Sequence, residues 1–437
     1  MAETLPSIVE QELLGLKGLL WGTEIKDDIF RRWSQGFYFS SSEKSALEQS
    51  EGGPCAIIAP VQAFIIKNLL IKYKDLNFRE RVTTELQSKI LVNALCEILG
   101  QCSTEKYYIV RLCNHEHESE TQLDGDRNEN VSNYSEALDP SKFHENLDLI
   151  SFSSLEDVSK YYLENVETVN GRFGVLLFLY SVILTRGLQQ VRSECGDSHA
   201  WIDETYGYGS QSLINLMITG RATTYVWDHY QDVAGLKLKG IEKQSHVGFI
   251  TIMEYLRYCT VGSFYKNPIH PVWVVGSDTH LTVLFSDEIR LVSPETKSEQ
   301  ARRIFKSFDP DGNNFISSDK LQEVLQALDL VSEIEYVNIM MKKLDGESLG
   351  IILLNAFMDE FFPKEECSTP DMFTLVHYNG LAQSNVNGQV QYHVGSAILL
   401  ESDIKSVCES NSMLTVLQTK WPSIEVNWCD GKTPSLN

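Results

Sequence analysis

The sequence predicts a mixed α/β protein of the α+β type, and three observations carry that prediction. Apolar residues recur at helical spacing through most of the chain up to Cys259. The period then shifts to short strand-like runs, Pro271–Gly276, His280–Phe285 and Glu288–Val292, which resume as Phe373–Tyr378, Val390–Leu400 and Ser423–Trp428. Composition completes the case: with 437 residues, 43% hydrophobic and 22% charged, the chain has the apolar content to bury a sizeable globular core.

Taken in order, Ile8–Leu20 carries apolar residues at helical spacing and ends at Trp21-Gly22. A strand-like Gly36–Phe39 follows, then a polar run from Ser40 to Gln49. Gly52-Gly53-Pro54 breaks regular structure and fixes the backbone for a helix start, so the long apolar Ala56–Leu70 reads as a helix opened by Cys55. Val82–Leu99 predicts another helix and Lys106–Leu112 a strand. Residues 114–144, rich in Glu, Asp, Asn and Ser, predict a polar insertion. Helical patterns return at Leu155–Asn165, Phe173–Glu194, Gln211–Thr219 and Gly248–Cys259. Residues 296–365 read as wholly helical, so the expected division is 1–295, a helical insertion at 296–365, and terminal strands at 366–437 that complete the first domain.

The apolar run Phe173–Leu184 is too short for a membrane span, and the first ten residues lack the basic region of a secretory signal. Nine cysteines with no CxxC pair predict a reducing compartment, cytoplasm or nucleus, and no zinc ribbon. A formal charge of −23 repels phosphates, which argues against nucleic-acid and anionic-membrane partners. No phosphate-binding glycine loop, HExxH or GxSxG occurs, and no cofactor or metal is expected.

Cys55 is the sharpest chemical feature. A helix N-terminus favours a thiolate, and two glycines and a proline keep long side chains away from the sulfur. Taken alone, a cysteine opening an apolar helix is more often a core residue. Gln49, six residues earlier, alters that reading, because its amide can reach an oxyanion formed when the thiolate attacks a carbonyl; papain-like enzymes use the same spacing. His280 heads a strand far downstream, the chain order expected for the base of such a thiol. His270 is its rival, and Asp278 or Asp287 is a candidate to orient the ring. Cys113, His115 and His117 lack a fourth ligand at a recognised spacing and predict no metal site.

Asp309–Lys320 has the character of an EF-hand loop, with oxygen ligands at its first, third, fifth and ninth positions. Asn314 stands where a glycine is usual and Lys320 where a bidentate Glu is needed, so it predicts a relic that binds no calcium.

The segment Ser45–Phe64, SALEQSEGGPCAIIAPVQAF, resembles the signature of the MINDY deubiquitinases, and within them the subgroup described by an EF-hand and a proposed link to apoptosis. FGVLLFLY at Phe173–Tyr180, YGSQSLINL at Tyr208–Leu216, Gly276–Val283 and LQTKWP at Leu417–Pro422 match as well, so the resemblance spans almost the whole chain. It implies a papain-related α/β fold of its own topology and hydrolysis of polyubiquitin isopeptide bonds at the lysine linkage that marks proteins for the proteasome. It also implies Cys55 as nucleophile, Gln49 as oxyanion donor and His280 as catalytic histidine. The alternative is a catalytically inert ubiquitin-chain-binding scaffold of the same fold; a calcium sensor is opposed by Lys320.

Overall fold

A computed structural model describes residues 8–103, 105–113, 139–196, 199–233, 235–294, 296–309, 312–364, 369–400 and 411–437. Most of the polar insertion expected at 114–144, with His115 and His117, lies outside the described residues; Pro140–Glu145 at its end is helical. The chain divides into two compact units, one built from residues up to Glu288 together with Phe373–Ile398 and the terminal segment, the other from Ile289–Met372 with Leu399 and the residues just after it.

In the first unit, a helix apolar around its whole circumference has to be central. Two such helices, α1 (Cys55–Tyr73) and α3 (Gly174–Arg186), fill the core, with α2 (Thr84–Cys102) and α4 (Gln211–Thr219) packed beside them. At 19 residues α1 has the length and composition of a membrane span, so the candidate nearest a span is here rather than at Phe173–Leu184; 78% of its 18-residue apolar window is buried inside the protein, as in a core helix.

Against α1 lies a six-stranded sheet of β1 (Gly248–Thr251), β2 (Val272–Gly276), β3 (Leu281–Phe285), β4 (Met372–Tyr378), β5 (Tyr392–Leu399) and β6 (Ile424–Trp428). Spatial order follows chain order, β1 to β6. β1 runs parallel to β2, β2 antiparallel to β3, and β3 antiparallel to β4, with Tyr378 opposite Val283.

Three expectations need correction. Gly248–Thr251 opens a strand, not a helix: all four residues are buried, and a strand apolar on both faces has no alternation to read. A Cβ at Gly248 would meet Trp273 at 2.3 Å, so only glycine lets the two strands close there. The helix expected over Phe173–Glu194 ends at Arg186, where Gly187 at φ +89° turns the chain into a separate helix, Leu188–Cys195. Ile289–Val292 forms a 3₁₀ turn, not a third strand.

The second unit holds two helix–loop–helix segments, Lys297–Ser307 with Leu321–Ala327 and Ile334–Leu344 with Leu354–Phe361, around its own core that includes Phe305 and Phe357. It is not wholly helical: the loops pair as short antiparallel strands, Phe315–Ser317 against Ile351–Leu353. The Asp309 carboxylate accepts the N–H groups of Asn313 and Asn314 at 3.0 and 2.7 Å. Asp345 does the same for Leu349 and Gly350, both at 2.7 Å, so a second loop of the same build follows the first. Asn314 and Gly350 both turn with positive φ.

Candidate active site

Cys55 is the first residue of α1, which starts where Pro54 ends the Gly-Gly turn. Its sulfur lies against the backbone N–H of Leu281, the residue after His280, and its thiol faces the Gly53 carbonyl at 3.7 Å. Segments more than two hundred residues apart in the chain therefore meet at the tip of α1. The helix N-terminus does not lower the thiol pKa as expected. Cys55 is only 4% exposed, and loss of hydration pushes the thiol up to about 11 against the opposing pull of the Leu281, Ala56 and Cys55 N–H groups.

His280 heads β3 after a tight turn held by Ser277, whose Oγ accepts the His280 N–H at 2.9 Å. The ring is buried, and desolvation lowers its pKa to about 4. Its Nε2 lies 3.1 Å from Oδ1 of Asn379, the first residue after β4. Asn379 donates through Nδ2 to the Ser435 carbonyl at 3.1 Å, and its Oδ1 also accepts the Leu381 N–H at 3.0 Å. Oδ1 is thereby an acceptor, so Nε2 carries the ring proton and Nδ1 presents its lone pair. Neither candidate acid does this work, since Asp278 and Asp287 are exposed turn residues. Asn379 is the orienting group that sequence reasoning missed; its one signal is a polar residue and a glycine closing the apolar run FTLVHY. His270, the rival histidine, stacks instead on His246 with ring centroids 6.1 Å apart.

Gln49 is buried on the loop before Cys55. Its backbone N–H donates to the Gly380 carbonyl at 2.8 Å, next to Asn379, and one side-chain N–H is spent on the Glu51 carbonyl at 2.8 Å. The same loop is fastened from outside by Gln35, whose Oε1 accepts the Ser50 N–H at 3.0 Å. Gly53 adopts φ +138°, and a Cβ there would sit 3.1 Å from Trp33 Nε1, which itself donates to the Gly207 carbonyl at 2.9 Å. A Cβ at Gly52 would meet nothing within 4 Å, so the turn borders open space at that residue.

The neighbourhood thus combines a thiol, a neutral imidazole with one nitrogen free to accept a proton, an amide that fixes the ring, and a second amide with an uncommitted N–H. That set matches the needs of acyl transfer through a thioester. Among the described residues no group of three or more metal-ligating side chains occurs.

Residues 17–306 match the family profile described as the conserved domain of deubiquitinating enzyme MINDY-3/4. The chain is 53% identical to the ubiquitin carboxyl-terminal hydrolase MINDY-3 homolog of Drosophila melanogaster, over 98% of this chain and 83% of that one. It is 46% identical to ubiquitin carboxyl-terminal hydrolase MINDY-3 of Homo sapiens, over 97% and 98%. To the probable ubiquitin carboxyl-terminal hydrolase MINDY-4 of Mus musculus it is 30% identical over 64% of this chain and 37% of that one. No solved structure matches the chain.

Proposed function

From the premise that this chain belongs to the MINDY-3/4 family of deubiquitinating enzymes, we propose that it is a cysteine-type deubiquitinase in which Cys55 is the nucleophile, His280 the base and Gln49 the oxyanion donor. The observation that carries the reading is the meeting of the Cys55 sulfur with the Leu281 N–H, beside a ring whose tautomer Asn379 fixes. Substrate is a ubiquitin chain, cut at the isopeptide bond between a terminal glycine carbonyl and a lysine ε-amine. Preference for the linkage that marks proteins for the proteasome rests on the resemblance of the Cys55 block, as does a papain-related ancestry for the fold.

Each step follows from the donors and acceptors present. The thiol proton passes to Nδ1 of His280 as sulfur bonds to the carbonyl carbon, and the oxyanion takes N–H bonds from the Cys55 backbone and Gln49. Collapse breaks the C–N bond, and the Nδ1 proton leaves on the lysine amine. Water then gives a proton to Nδ1 while its oxygen attacks the thioester, and the departing thiolate takes that proton back. Asn379 keeps Nε2 protonated throughout, so the proton traffic is confined to Nδ1.

Burial of the sulfur favours a second reading, an inert ubiquitin-chain-binding scaffold. One experiment separates them: incubation with ubiquitin dimers of every lysine linkage, the wild type beside Cys55→Ala. The proposal expects cleavage that Cys55→Ala abolishes. Chain binding without cleavage by the wild type would establish the scaffold instead.

We read the second unit as a paired EF-hand-like lobe that holds no calcium, because Lys320 and, in the second loop, Leu349, Leu353 and Ala356 stand at ligand positions. Free thiols at all seven described cysteines fit action in the cytoplasm or nucleus.

A further inference from the structure

Beyond the residues assigned above, the sheet carries a second buried polar chain that ends on the active-site asparagine. Asn385 is 8% exposed, and its Nδ2 donates to two carbonyls, those of Asn379 at 2.8 Å and Leu381 at 2.7 Å. With both of its N–H groups committed, Oδ1 accepts, and it lies 3.1 Å from Nε2 of His393, itself only 5% exposed on β5. On the other side of that ring, Nδ1 lies 2.9 Å from Oδ2 of Asp430, whose side chain is 48% exposed. The His393 ring thus bridges Asn385 and Asp430.

We propose that Asn385, His393 and Asp430 form a clamp that positions Asn379, and through it the His280 ring, for the reaction proposed above. Residues 379–381 leave the sheet as a loop, tied to the backbone before Cys55 by one isolated parallel bridge, Gln49 to Leu381. The clamp adds a side-chain restraint to that single bridge: Asn385 ties down the carbonyls on both sides of Gly380, and His393 anchors Asn385 to Asp430. The consequence reaches further than one side chain. Gly380 between those carbonyls accepts the backbone N–H of Gln49, so the restrained loop is shared by the base and the oxyanion donor. Buried polar networks of this kind rigidify a site when every member is satisfied, and here each group along the path has its partner. None of the three residues touches the reacting atoms; they are positioning residues.

The clamp rests on the hydrolase reading, and its test separates the two. Full-length wild type, Cys55→Ala, Asn379→Ala, His393→Leu, His393→Gln, Asp430→Ala and the double variant Asn379→Ala/His393→Leu are assayed for cleavage of a ubiquitin dimer, at a temperature where circular dichroism shows each to be folded. A glutamine amide reproduces the Nε2 donor, so His393→Gln keeps the bond to Asn385 while His393→Leu removes it. The clamp predicts a fall of about tenfold in kcat for His393→Leu with KM within about twofold, and near-wild-type kcat for His393→Gln. It also predicts that the double variant falls well short of the product of its two single losses, since His393 acts through Asn379. Asp430→Ala, a half-exposed site, gives a second measure in the same direction should the leucine variant not fold. Wild-type kcat in both His393→Leu and Asp430→Ala, equal losses in the leucine and glutamine variants, or losses that multiply would each overturn the clamp while leaving the hydrolase intact. Absence of Cys55-dependent cleavage in the wild type would overturn the hydrolase and the clamp with it.

Discussion

The free enzyme should hold its thiol and imidazole in their neutral forms, and alkylation of Cys55 measures this directly. Burial puts the thiol at about 11 and the ring at about 4. At pH 7 that leaves a thiolate fraction of about 10⁻⁴, and the gap opposes transfer of the proton from sulfur to ring in the unliganded protein. Iodoacetamide reacts only with the thiolate. Its rate at Cys55, read by mass spectrometry of the labelled peptide, should therefore rise about tenfold per pH unit from neutral pH into the alkaline range, with no plateau between. The exposed Cys429 is the internal standard for reagent and temperature. His280→Ala should leave this rate unchanged, because the thiol is bonded to the Gly53 carbonyl and the imidazole to Asn379, with no bond joining the two. Substrate must then close the gap, by excluding water differently or by drawing the sulfur toward Nδ1. A plateau of high reactivity beginning below pH 7, lost in His280→Ala, would mean a preformed thiolate–imidazolium pair and would refute the reasoning.

Three further outcomes follow from the same geometry. Gln49→Ala should lower kcat by about 10²–10³ with a smaller change in KM, read from dimer cleavage; unchanged turnover would leave that amide as a loop fastener to the Glu51 carbonyl only. His377 is fully buried with both ring nitrogens unpartnered and a pKa lowered to about 3 by desolvation. A base whose pKa falls on folding is neutral in both states above its unfolded value near 6.5, and below it the unfolded chain takes up the proton first, so stability falls as pH drops toward 3, on the order of 1.4 kcal/mol per pH unit. His377→Leu should remove that part of the acid sensitivity in urea unfolding and at neutral pH should raise stability by up to about 1–3 kcal/mol; an unaltered pH dependence counts against it. Finally, calorimetry with calcium should give no binding at micromolar concentration, and millimolar calcium should leave the melting temperature unchanged; a tight isotherm would show Lys320 tolerated in the loop.

What could be read from the residues, and what could not, divides along physical lines. Cys55, Gln49 and His280 were legible because each is a reactive or amide group in a local setting that advertises it: a Gly-Gly-Pro break, a fixed spacing, a strand head. Asn379 was not, because its role exists only through contacts with residues far away in the chain, while the acids beside His280 drew attention by nearness in sequence. Burial reversed the expected sign of the thiol shift, a balance between desolvation and three N–H groups that sequence cannot weigh. β1 was hidden because both its faces are covered, and the Asp345 loop because leucines occupy its ligand positions although its backbone turns as its partner does.

The order of the strands has a consequence for how the enzyme comes into being. A chain emerging from the ribosome carries its sulfur and its ring before the second unit is made, yet β4, β5 and β6, with Asn379 and Ser435, come only afterwards. Half of the sheet, including the strand that flanks β3, is thus synthesised last. Until those residues dock, the ring lacks the Asn379 amide and the Gln49 backbone N–H lacks the Gly380 carbonyl. Assembly of the polar contacts around the ring therefore waits on strands that follow the second unit in the chain.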